Sequence, residues 1–154
     1  MKNIFILLFS VVLLASCKST SAVDNNVNYD AQKMVKGTWT LSNINYDNSN
    51  YIKVNLFDIA TSDCFKYSNW NFVSNNNKGT VMFQNGCATD KKFTWYINTN
   101  GQMVLKFLNS ESSRKTETGY VVEYVSIDDN NFMLRHNAMI SNNPVEINMA
   151  FTRQ

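Results

Sequence analysis

The sequence predicts an all-β body of eight antiparallel strands closed into an up-and-down barrel. From Lys36 onward, apolar residues recur at every second position rather than at helical spacing, as expected for strands with one buried face. Asparagine occurs 24 times and clusters between the apolar runs, at Asn75-Asn76-Asn77, Asn130-Asn131 and Asn142-Asn143. Asparagine tolerates left-handed backbone and caps its own turns, so these clusters read as tight reversals. Only one connection is long enough to hold a helix. Eight strands with a one-sided apolar face can close on themselves, which removes the exposed edges that invite aggregation. Two stacked sheets satisfy the same alternation and stay open as the rival architecture.

In chain order, residues 30–36 fit one helical turn capped by Asp30 and stopped at Gly37. The first strand covers 38–46. Residues 51–60 are ambiguous: Ile52, Leu56 and Ile59 fit a short helix, but the β-branched content opposes a long one. The second strand, 69–74, sets Trp70 and Phe72 on one side, and a short turn at 75–78 leads to its partner at 79–84. Residues 92–98 place Phe93, Trp95 and Ile97 on one face. The turn Asn98-Thr99-Asn100-Gly101 then returns the chain into 102–108, where Met103, Leu105 and Phe107 share a face. Asn-Gly between two alternating runs is a strong hairpin signal. Residues 109–118 are polar and read as an exposed loop. Residues 119–127 are apolar on both sides of Glu123, which leaves their orientation unreadable. Asp128-Asp129-Asn130 turns the chain into 131–137, where Phe132, Leu134 and His136 share a parity. The last strand, 145–153, alternates most clearly: Val145, Ile147, Met149 and Phe151 face one way, Glu146, Asn148 and Thr152 the other.

The chain opens on Lys2, an apolar run from Ile4 to Leu14, and small residues before Cys17. That order describes a secretory signal over residues 1–16. The run of about 12 apolar residues is too short to span a hydrocarbon core, which needs about 20. Leu14-Ala15-Ser16-Cys17 also resembles the lipobox of bacterial lipoproteins. The resemblance implies cleavage before Cys17, acylation of that cysteine and attachment to a membrane. A plain cleaved signal with a chance cysteine is the alternative. Residues 17–34 then form the lipidated cysteine and a flexible tether rich in Ser and Asn, and residues 35–154 the folded domain. Lys18 is not the aspartate that resembles an inner-membrane retention signal, so the expected location is the outer membrane of a cell envelope.

Composition removes several function classes. Without Lys2 the chain carries 13 basic against 12 acidic residues. Near-neutrality gives no electrostatic basis for nucleic-acid binding. Cys64 and Cys87 remain after Cys17 is assigned, and in an oxidising envelope such a pair forms a disulfide more often than not. Two separate buried thiols are the alternative. A zinc site needs about four ligands and the chain has one histidine, His136, so neither metal nor cofactor is expected. No Gly-x-Ser-x-Gly, phosphate loop or His-Glu-x-x-His pattern is present. Asp128-Asp129 reads as turn chemistry, and no enzyme is expected.

Gly37-Thr38-Trp39 at the first strand, with a helical turn before it, and Phe151-Thr152-Arg153 at the end of the last resemble the lipocalin superfamily. The closer likeness is to the small lipocalin-like lipoproteins common in Bacteroidetes. The resemblance covers about residues 35–153 and implies that Trp39 closes the barrel floor with Arg153 lying over it. A generic core tryptophan and a solvated arginine are the bland alternative.

These readings lead to a monomeric, lipid-anchored envelope protein that binds a small apolar or amphipathic ligand. The candidate lining is Trp70, Phe72, Phe93, Trp95, Met103, Leu105, Phe107, Tyr124, His136, Ile147 and Met149. The same residues would equally fill a dry core. The alternative is an interaction module for an envelope protein, or an inhibitor of a lytic enzyme, acting through loops 109–118 and 139–144. A third reading, an isomerase-like enzyme, has only His136 and Tyr124 to work with. An interior of about 300 Å³ or more favours ligand binding, and a filled one moves weight to the loops.

Overall fold

Alternation along the sequence becomes inside and outside in space. The computed structural model describes residues 24–47, 52–108, 116–140 and 142–154. The signal segment, Cys17 and residues 109–115 lie outside the described residues. In chain order the elements are α1 (Tyr29–Val35), β1 (Gly37–Asn45), β2 (Asn55–Leu56), β3 (Ala60–Thr61), α2 (Ser62–Phe65), β4 (Asn69–Val73), β5 (Lys78–Met82), β6 (Lys91–Ile97), β7 (Gln102–Leu108), β8 (Thr116–Asp128), β9 (Asn131–Ile140) and β10 (Asn143–Arg153). Eight of the strands close into one antiparallel barrel in the order β1-β10-β9-β8-β7-β6-β5-β4, and β4 returns to pair with β1. The expected barrel is present, and the stacked-sheet rival is removed. Between β1 and β4 the chain leaves the wall to form the β2–β3 hairpin and α2.

The barrel has a closed floor. Asn28 caps α1 by accepting from the Ala31 N–H at 3.0 Å, so the cap is Asn28 rather than Asp30. Its side-chain oxygen satisfies one of the donors that a helix start leaves open. Val35 is fully buried, and its carbonyl accepts from the Trp39 indole at 2.7 Å. The Arg153 guanidinium lies 4.1 Å from the Trp39 ring centre. It also donates to the carbonyls of Met34, Lys36 and Asp129 at 2.7, 3.0 and 2.9 Å. One side chain thus ties α1, the start of β1 and the β8–β9 turn to the end of β10.

One ambiguity closes and three local expectations change. Residues 52–60 do not form a helix: Phe57 and Asp58 have φ of +54° and +53°, outside the right-handed helical region, and the chain folds back as β2–β3. Thr116 to Thr118 belong to β8 rather than to a loop. Most of 139–144 is hairpin, with β9 running to Ile140 and β10 starting at Asn143. The end of the expected tether is held: the Asn28 N–H donates to the Ile97 carbonyl and the Thr99 N–H to that of Asn26. Pairing also orients the unreadable strand. Tyr120 packs on Phe107 and Tyr124 on Phe132, with Val122 buried between their levels.

Candidate functional site

The mouth of the barrel, opposite the floor, is where the chemistry of this molecule gathers. Its lid is the connection between β1 and β4. Val54, Leu56, Phe57 and Phe65 are all buried, so this segment covers the interior with apolar side chains. Polar contacts hold it down. Tyr46 donates its hydroxyl to the Ile52 carbonyl at 2.7 Å, and its oxygen lies 2.9 Å from that of Ser62. Ser68 gives its hydroxyl to the Phe65 carbonyl and takes the Trp70 indole N–H at 2.9 Å. Cys64 in α2 is disulfide-bonded to Cys87, just beyond the 3-10 turn Gln84–Gly86 that follows β5, with Cα atoms 5.8 Å apart. The same anchor is flanked by Phe65 on Phe83, ring centres 4.9 Å apart.

At the tip of β2–β3 the Ile59 N–H closes on the Leu56 carbonyl at 3.0 Å. Both central residues have positive φ, the pattern of a type I′ turn, which favours Asn, Asp or Gly. Phe57 occupies the first of these positions, and its ring points into the mouth. It meets Tyr120 at 5.1 Å, Phe107 at 5.4 Å, Phe65 at 5.8 Å, His136 at 6.3 Å and Trp70 at 6.4 Å between ring centres. The next residue, Asp58, accepts the Tyr120 hydroxyl at 2.8 Å. Burial lowers the affinity of His136 for a proton below that of an ordinary imidazole, which keeps it a neutral group in this rim. Tyr124 lies deeper and is held protonated to higher pH, chiefly by burial.

Below the lid the side chains meet one another. Trp70, Phe72, Phe93, Trp95, Met103, Leu105, Ile147 and Met149 are each at most 1% exposed, and Phe107 6%. Side chains so covered fill the described interior by packing on one another. The Trp70 ring is neighboured by Phe72, Phe93, Phe107 and Phe151 at 5.4–6.2 Å. Among the candidate lining residues, only Tyr124 and His136 are partly exposed. A cleft of about 450 Å³ opens elsewhere, on the outer wall between Asn71, Thr80, Thr94 and Leu108.

Phe57 and Phe65 were not legible as site residues. They lie in the one stretch without a clear period, and their ring contacts join positions far apart in the chain. The adjacent apolar pair Leu56-Phe57 beside the turn-favouring Asp58 was the available signal.

A family model described as a lipocalin-like domain matches residues 35–134. The chain belongs to the lipocalin-like domain family. Among solved structures, this lipocalin-like chain is similar to a bovine odorant binding protein in complex with a selenium-containing odorant. That match has 15% identity and a TM-score of 0.47, and covers 80% of this chain and 72% of that one. It is also similar to the bovine protein complexed with undecanal, with 13% identity, a TM-score of 0.46 and the same coverage. No curated protein matches this sequence.

Proposed function

We propose that this lipocalin-like chain is a lipid-anchored cell-envelope protein that binds, without catalysis, a small apolar or amphipathic ligand in place of the Phe57 ring. The interior below the lid is filled, which removes the open pocket as an argument, and the observation that carries the reading is instead the strained plug above it. Burying a phenylalanine stabilises by roughly 1.5–3 kcal/mol. Holding a non-glycine residue in the left-handed region costs about 1–2 kcal/mol, and the turn holds both Phe57 and Asp58 there. The two effects nearly cancel, so the plug sits in the mouth at little net advantage. A ligand with similar apolar surface and no strained turn can displace it. The site it inherits is lined by Phe65, Trp70, Phe107, Tyr120 and His136. The anchored location rests on the lipobox-like ending at Cys17.

Titration with an apolar fluorescent probe, N-phenyl-1-naphthylamine, tests this, followed by native mass spectrometry of protein gently extracted from its host. Wild type is expected to take up the probe. Phe57→Ala is expected to bind it about two- to tenfold tighter, because a net plug stability of roughly 0–1.4 kcal/mol no longer competes. Absence of uptake in both proteins, with no co-purifying ligand, defeats the reading.

A second reading, recognition of an envelope protein at the rim, is favoured by one observation. The β9–β10 hairpin runs past the last β1 pair, Asn45 with Asn148, and carries Met139 at 69% exposure. In that case both proteins stay ligand-free, and one crosslinked envelope partner is lost on Met139→Asp.

A further inference from the structure

The barrel wall is not evenly sewn. β8 and β9 pair from Asp128 with Asn131 up to Glu123 with Arg135, and among the described residues their ladder ends there. Both strands continue toward the mouth. β8 runs on to Thr116 with β7 as its partner, through Leu105 with Tyr120 and Leu108 with Thr116. β9 runs on to Ile140 with β10 as its partner, through His136 with Ile147 and Ile140 with Asn143. The register, if continued, would set His136 beside Val122 and Ala138 beside Tyr120. Among the described residues that pairing is not made, which leaves a seam between the mouth halves of the two strands.

Phe57 stands at this seam. Its ring touches Tyr120 on one bank and His136 on the other, at 5.1 and 6.3 Å. The bond from the Tyr120 hydroxyl to Asp58 latches the same turn to the β8 bank. The β9 bank is a hairpin whose mouth end, among the described residues, is not paired with β1, since β1 meets β10 only from Asn148 inward. One bank is therefore part of the continuous wall, and the other can swing with its hairpin. Moving Phe57 opens a slot along the side of the barrel.

Charge at the slot selects what enters. Glu123 and Arg135 form the last ladder pair at its foot, 3.1 Å apart. Arg135 is shared with Glu146 at 3.4 Å, so two carboxylates meet one guanidinium. Asp58 adds a carboxylate at the latch, and His136 is neutral. Lys106 lies over Gly119 on the β8 bank, so three carboxylates face two cations among these described groups, and the remaining negative charge at the latch opposes an anionic head group.

Building on the binding reading above, we propose that the seam between the mouth halves of β8 and β9 is a side portal admitting a single-chain amphiphile with a non-anionic head. The chain takes the place of the Phe57 ring, and the head stays at the rim beside Asp58, Tyr120 and His136. A single alkyl chain is no wider than the ring it replaces, whereas a two-chain lipid does not fit a slot plugged by one phenyl group.

The test closes the slot. Val121→Cys with Asn137→Cys places outward-facing thiols on the two banks, which a short bis-maleimide bridges in the full-length mature protein. Thr94→Cys with Lys106→Cys, a paired position on the intact β6–β7 wall, is bridged as the control. Stopped-flow uptake of decanol, read by displacement of N-phenyl-1-naphthylamine, is expected to slow at least tenfold with the seam bridged and not with the control. Affinity stays within about twofold, since a portal changes both rates together. Decanoate is expected to bind at least tenfold more weakly than decanol, and Asp58→Asn narrows that gap. Unchanged uptake with a bridged seam overturns the side portal, and equal binding of decanoate and decanol overturns the head-group selection. No binding of either compound, even by Phe57→Ala, overturns the binding reading itself and this proposal with it. If the double variant does not fold, Asn137→Trp sets a bulky ring over the seam and carries the same expected slowing.

Discussion

A single hydrogen atom decides the packing beside Trp70. Gly79 faces inward on β5, and a methyl group there would lie 2.3 Å from the Phe93 ring and 2.7 Å from the Asn71 carbonyl. Neither neighbour can yield, because Phe93 is itself wedged among Phe72, Trp70 and Phe107. Gly79→Ala is expected to cost about 1–3 kcal/mol, read as a lower urea midpoint with an unchanged slope; a stable variant would mean the core is looser than these contacts describe. The floor pair Trp39 and Arg153 shows the opposite kind of legibility. Gly-x-Trp near the start and arginine near the end could be read from the chain, and the two side chains stack at 4.1 Å. What the chain did not disclose was the arginine's three backbone carbonyl partners, which come from segments near residues 34–36 and 129.

Among elements, the hairpins were legible and the lid was not. Residues 98–101 announced their turn through Asn-Gly, and Met103, Leu105 and Phe107 face inward on β7. The lid lacks any period because its side chains answer to the mouth beneath it rather than to a regular neighbour. Its length and the cysteine at its end marked its place in the sequence, but not its fold. Cys64–Cys87 staples α2 to the turn after β5, closing a loop of roughly 24 residues that the chain-entropy account values at about 3 kcal/mol. Replacing both cysteines with serine is expected to lower the melting temperature by about 10 °C for a domain of this size. Calorimetry checks this, and a shift below about 2 °C would show that the Phe65–Phe83 contact and the Tyr46–Ser62 bond hold the lid without the staple.

For the whole molecule, closure of the sheet sets the division of labour. The floor is bolted by α1 and Arg153, so the proposed ligand exchange is assigned to the mouth and the seam. The lipid anchor proposed above belongs to the segment before the barrel. Cys17→Ser is expected to move the protein from the membrane fraction to the soluble envelope fraction while the purified domain melts unchanged. Membrane retention of that variant would exclude a lipid anchor at Cys17.

Strand number, most inward faces and the cysteine pairing were within reach of the sequence, because each follows from a local rule: a period of two, a turn residue, a count of thiols. The floor pair was within reach only through the resemblance of Gly37-Thr38-Trp39 and Arg153 to the lipocalin pattern. Whether the interior is hollow or filled was not, since that depends on how Trp70, Phe72, Phe93 and Phe107 interlock across strands. The plug and the seam belong to the same class. A left-handed phenylalanine and a ladder that stops at Glu123 and Arg135 arise where closing the barrel competes with covering its mouth. That competition exists only once distant segments share one space.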